Sequence, residues 1–226
     1  MTTKGFISRR ESKSQRSEGF TLVELLIVIV VLSTAGLLVL TIFTNSLRGS
    51  NKAQISSSIQ KNGRNVLDTM DKTIRNSDNL VCISTPNHST LVVVKDGIYT
   101  RYKFIPPAPV VNPTINGKIV IDNPVKDKNI IGLDPSTNDE YTDPAFKNKI
   151  CAESDPDPSV ALTDTDPETG VSITAPAGGI FSNPNPSAGF KNQVKIEFFV
   201  SQGVLASPLL TGQIDPVNFV TTVNLR

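Results

Sequence analysis

The sequence predicts an α+β protein: one long N-terminal transmembrane and amphipathic helix packed on an antiparallel β-sheet head with long irregular loops. Three observations carry this reading. Residues 20–43 form a run of 24 with a single charge, Glu24; at about 1.5 Å of rise per residue the run spans ~36 Å, enough to cross a hydrocarbon core of ~30 Å. No proline interrupts the chain from Phe20 to Thr85, and Ile55, Ile59, Val66, Met70 and Ile74 recur at helical spacing beyond the apolar run, with Leu67 beside them. After Leu80 the apolar residues alternate instead, as they do in strands.

The elements follow in order. Residues 1–19 form a basic leader, with five Lys or Arg against two Glu (+5 − 2 = +3), while the remainder of the 226-residue chain carries −2. Basic flanks of a membrane helix stay in the cytoplasm, so the leader belongs inside and the domain after Phe43 outside. Residues 20–43 make the membrane half of the helix and residues 44–79 its amphipathic half, giving one helix of about 55–59 residues, roughly 85 Å long. Gly36, Gly49 and Gly63 are expected to be points where it bends or loosens. Lys61, Arg64, Lys72 and Arg75 fall near one face. Asp68 and Asp71 interleave with them, which predicts ion pairs Arg64–Asp68, Asp68–Lys72 and Asp71–Arg75 at i, i+4. A salt-bridged, solvated face follows, rather than a stripe for nucleic-acid phosphates, and nucleic acid is not expected as a partner.

Residues 80–226 make the extracytoplasmic head. Leu91–Lys95 and Ile98–Phe104 flank Asp96-Gly97, a hairpin signal whose turn needs positive φ. Lys118–Asp122, Gln193–Val200 and Asn218–Leu225 also read as strands. Thirteen of the 16 prolines fall between Pro106 and Pro186, so residues 105–190 are expected to be irregular. Residues 122–168 hold 12 acidic residues and four Lys, a local balance of −8. Solvated loop charge is the first reading of that run. A calcium site from Asp155, Asp157, Asp164 and Asp166 with Glu168 is the second, although Thr169 stands where an EF-hand loop counted from Asp164 needs glycine. Cys82 and Cys151 either pair, as an oxidising compartment permits, or stand as two buried thiols.

No catalytic constellation is visible. His88 is the only histidine and sits among Pro86, Asn87 and Ser89, with no acidic neighbour in sequence to orient it. There is no Gly-rich phosphate loop and no Cys-x-x-Cys pair. Neither an enzyme nor a bound cofactor is expected.

The apolar run itself is too long for the hydrophobic core of a secretory signal, which takes about 7–15 residues. A plain single-pass anchor, holding an extracytoplasmic binding domain at the membrane, accounts for its length. That alternative gives no reason for Glu24, since a carboxylate in such a helix costs on the order of 2.5–3.5 kcal/mol.

The residues Gly19-Phe20-Thr21-Leu22-Val23-Glu24, placed between a basic leader and an uninterrupted apolar helix, resemble the cleavage and methylation signal of type IV prepilins and type II secretion pseudopilins. The resemblance implies a pilin-like fold. It implies cleavage between Gly19 and Phe20 by a prepilin peptidase, N-methylation of Phe20, and assembly through Glu24 with other pilin or pseudopilin subunits. It places the chain in the cytoplasmic membrane and then in a pilus or pseudopilus at the cell surface. Gly63–Leu80 and Phe219–Arg226 further resemble the helix end and closing strand of W-type minor pilins and J-type pseudopilins, which implies a minor component serving pilus assembly, secretion or competence.

Overall fold

A computed structural model describes residues 19–108, 114–123, 150–151, 160–184, 192–206 and 214–225. Among the described residues helix α1 runs from Leu22 to Arg75 and nine strands follow: β1 (Asn79–Ile83), β2 (Thr90–Lys95), β3 (Ile98–Ile105), β4 (Lys118–Asp122), β5 (Val160–Ala161), β6 (Val171–Thr174), β7 (Phe181–Ser182), β8 (Gln193–Gln202) and β9 (Val217–Asn224). The chain divides into two compact units between Ser46 and Leu47. The first holds the apolar half of α1; the second holds the amphipathic half and every strand.

In the second unit the helical spacing seen in the sequence is what meets the sheets. Ile59, Val66, Met70 and Ile74 are fully buried in a core with Leu91, Val93, Tyr102, Ile119, Ile173, Phe181, Ile196, Phe198 and Phe219. Gly63 lies on the same stripe, and a Cβ there would overlap the ring of Phe219. It is therefore a place of close approach between helix and strand, and α1 is continuous through it. Gly36 and Gly49 have no neighbour within 4 Å, and α1 passes through them as well.

Two antiparallel sheets carry the rest. The first runs β1-β2-β3-β4-β5 and the second β6-β8-β7, with β9 along the other side of β8. The Asp96-Gly97 loop closes β2 on β3 with Lys95 opposite Ile98, and its residues take φ of 49° and 74°. Both positive values match a tight I′-type turn, which Asp and Gly tolerate. The sheets join at Gly117, whose carbonyl accepts the Ile173 amide at 2.8 Å and whose amide donates to Ser172 Oγ at 3.0 Å. Any side chain at residue 117 would run into the Ile173 carbonyl.

Strands β5, β6 and β7 fall in the stretch expected to be irregular. They have two to four residues each, too short to leave a period in the sequence. Asn116, fully buried, organises the turns around them: its side chain donates to the Asp166 carbonyl at 2.7 Å and accepts the Val204 amide at 2.8 Å.

The first sheet is covered on its far side as well. Val81, Val92, Val94 and Tyr99 form a second cluster with Ile150, flanked by Cys82 and Cys151. Those cysteines are bonded to each other with Cα atoms 6.6 Å apart. Arg101, 1 % exposed, donates from Nε to Asp122 Oδ1 at 2.9 Å and from Nη1 to the Ile150 carbonyl at 3.1 Å. Burying a guanidinium is tolerable because an equally buried carboxylate meets it and the Ile150 carbonyl accepts a further bond from it.

Candidate assembly site

The N-terminus of α1 begins with Thr21, which lies just outside the helix and caps it. Its hydroxyl accepts the Glu24 amide at 3.2 Å, and its carbonyl accepts the Leu25 amide at 3.1 Å. Thr-x-x-Glu is the capping-box pattern, and it fixes the first turn so that the helix starts at Leu22 rather than at Phe20. Gly19 and Phe20 precede the helix, leaving the peptide bond between them in non-helical chain. Thr21 is the residue that the sequence reading passed over; the Thr21–Glu24 spacing is the signal that reveals it.

Glu24 sits in the first turn, where the helix dipole favours a negative charge. Its carboxylate has no hydrogen bond or ion pair among the described residues. The other polar side chains along the apolar half behave differently. Ser33 donates to the Ile29 carbonyl at 2.7 Å, Thr34 to Val31 at 2.9 Å, Thr41 to Leu37 at 2.8 Å and Thr44 to Thr41 at 3.0 Å. Each hydroxyl is folded onto its own helix and needs nothing from outside, as hydrocarbon surroundings demand. From Phe20 to Phe43, Glu24 is the exception.

The surface around it is bare. Leu, Ile, Val and Phe side chains from Phe20 to Phe43 are 44–79 % exposed. The helix is long and apolar enough to cross a membrane. Such a surface left in water is a binding surface, for lipid tails or for other apolar helices.

The remaining candidates lie in the head. Asp164 Oδ1 accepts the Asp166 amide at 3.1 Å, and Asp166 Oδ1 accepts the amides of Glu168 at 2.8 Å and Thr169 at 2.9 Å. These bonds hold the Asp166 carboxyl below its ordinary range. The two carboxylates thus bind their own turn. Asp155 and Asp157 lie outside the described residues, as does the leader before Gly19. Among the described residues no three His, Cys, Asp or Glu side chains converge as metal ligands.

His88 has φ of 49° and borders an open groove of about 580 Å³ with Phe104, Pro106, Pro176 and Gly179. Among the described residues no carboxylate or thiol lines that groove. On α1, Asp71 pairs with Arg75 at 2.7 Å. The expected Arg64–Asp68 and Asp68–Lys72 pairs are not formed. Arg64 and Asp68 instead line an open groove with Lys61, Asn62 and Asp164. Exposed pairs of this kind contribute only about 0.3–0.5 kcal/mol, little against the entropy of fixing two long side chains.

The family model of the prokaryotic N-terminal methylation motif matches residues 14–40. No curated protein and no solved structure matches the chain. The chain thus carries the methylation motif and is prepilin-like over the segment that contains Gly19, Phe20 and Glu24, ahead of an α+β head of pilin-like architecture.

Proposed function

We propose that this chain is a structural, non-enzymatic subunit, cut between Gly19 and Phe20 by a prepilin peptidase, methylated at Phe20 and assembled through its apolar helix. The Glu24 carboxylate, without a partner among the described residues and at the head of a bare apolar helix, carries the reading. Cleavage creates an ammonium group at Phe20. A buried charge in hydrocarbon is tolerable only with a partner, and a carboxylate facing the new N-terminus of a neighbouring subunit supplies one. Pairing between subunits rather than within one also sets their stagger along a filament.

Within that class we assign the chain to the minor components of a type IV pilus or of a secretion or competence pseudopilus, anchored by a single membrane pass with the head outside. The long proline-rich and acidic stretch supports this assignment, because a bulky, charged head suits a filament tip better than a close-packed shaft.

Mass spectrometry of membrane-extracted protein tests the processing. A mature chain beginning at methylated Phe20 is expected, and Gly19→Leu should leave the leader attached. An intact Met1 in cells with active prepilin peptidase overturns the proposal. Glu24→Ala should leave insertion intact and abolish assembly. Unchanged filament formation, secretion and DNA uptake in that variant would instead favour a membrane-tethered binding domain. Quantitative proteomics on sheared filaments tests the minor role, which fails if this chain is the main shaft subunit.

A further inference from the structure

The described sheets end in edges of two kinds. In the first sheet, β1 is broken by a register shift between Leu80 and Cys82, and β5 has two residues. In the second, β6 has four residues and β7 two. Short or bulged edges are how soluble proteins keep strands from pairing with strangers. Strand β9 has neither protection. Its eight residues, Val-Asn-Phe-Val-Thr-Thr-Val-Asn, are all paired to β8 on one side and contain no charge, proline or glycine. Five of the eight are β-branched.

The direction of its backbone groups follows from the ladder. Leu225 donates its amide to Asn192, and antiparallel bonding alternates residue by residue. Thus Val217, Phe219, Thr221 and Val223 bond to β8, as the even-numbered residues of β8 bond to β9. The Glu197 amide correspondingly turns to the other side of β8 and reaches Ile180. Asn218, Val220, Thr222 and Asn224 therefore aim their amides and carbonyls outward, and all four are exposed. Among the described residues nothing pairs with them.

We propose that this edge is an interaction surface for a second copy of the chain, paired β9 to β9, antiparallel about a two-fold axis. Two conditions limit the register: outward-bonding residues must face each other, and the inner faces must stay on one side. Centring the axis on Val220 would set Asn224 against Pro216, which has no amide to give. Centring it on Thr221 sets Asn218 against Asn224 and Val220 against Thr222, with about eight backbone hydrogen bonds. On the inner face the same register sets Phe219 against Val223 and Val217 against Leu225. Asn meets Asn and β-branched Val220 meets β-branched Thr222 on the outer face, while apolar meets apolar on the inner one, so the edge is complementary to itself. The two-fold reverses the Leu47–Arg75 helix in the second copy.

Thiol cross-linking of the full chain, expressed without prepilin peptidase or other subunits and extracted in detergent, tests the proposal. The native cysteines are already bonded, so an added thiol reports alone. Thr221→Cys should give mostly covalent dimer under mild oxidation, and Val220→Cys at least fivefold less. Adding Thr222→Lys to Thr221→Cys should reduce the dimer at least tenfold while leaving the circular dichroism unchanged. Absence of cross-linking at both thiols overturns the edge contact. Equal cross-linking with and without Thr222→Lys overturns it too, because the dimer would then arise elsewhere. Preferential cross-linking through Val220→Cys overturns the register.

Discussion

Gly63 on α1 and Phe219 on β9 meet so closely that the aromatic ring occupies the place a side chain at residue 63 would take. The ring also stacks on Phe198 of β8, with centroids 5.7 Å apart. One glycine thus sets how near the helix comes to the second sheet.

Gly63→Ala should destabilise the head even though alanine favours helix by about 1 kcal/mol. Overpacking at a filled site costs about 1–3 kcal/mol, so a net loss of about 1 kcal/mol is expected as a lower urea midpoint. Combining it with Phe219→Leu should restore part of the loss, since the smaller side chain vacates the space.

The Arg101–Asp122 pair predicts a larger effect. Asp122→Ala leaves a guanidinium that is 1 % exposed without that countercharge, at a cost of about 3–5 kcal/mol. Replacing both residues, Arg101→Met with Asp122→Leu, should recover most of it. Equilibrium denaturation of the two variants distinguishes a charge effect from a packing effect.

Removing the Cys82–Cys151 bond by changing both residues to serine should lower stability by about 2–5 kcal/mol. Hydrogen exchange should rise first in β2 and β3 around Val92, Val94 and Tyr99, the far face covered by Ile150. Uniform exchange throughout the head would show instead that the bond acts only on the unfolded chain.

Asp166 gives a pH prediction. Its carboxyl is held below the usual range by the Thr169 and Glu168 amides. A carboxyl lowered in the folded state contributes stability that is complete above the unfolded value of about 3.9 and is lost as the pH falls toward the folded one. Asp166→Asn should therefore lower the urea midpoint at pH 7 and leave it little changed near pH 2. A parallel shift at both values would contradict this.

Much of the fold was legible because its residues repeat with a period. The helical stripe Ile55–Ile74 gave α1 its packing face. Strict alternation in Val194–Val200 gave β8, and Asp96-Gly97 placed the first hairpin. What escaped was non-periodic. β6 is four residues, of which Val171, Ser172 and Ile173 are all buried, so it has no alternation to see. Arg101 and Asp122 look like surface residues until Ile150, 28 residues after Asp122, covers them. Asn116 reads as an ordinary loop residue, yet it ties together two turns far apart in sequence. At the candidate assembly site, Gly19, Phe20 and Glu24 were visible as a motif. Thr21 was hidden inside it, since a capping threonine gains its meaning only from where the helix begins.

One guanidinium holds both Asp122 and the Ile150 carbonyl. Asp122 and Ile150, 28 residues apart in sequence, are therefore held at a single anchored point beside the Cys82–Cys151 bond. Doubling the length of such an excursion adds only about 0.6 kcal/mol of closure entropy. The fold thus holds the two ends of this segment together whatever its length, which makes the joint a natural position for grafting a foreign epitope.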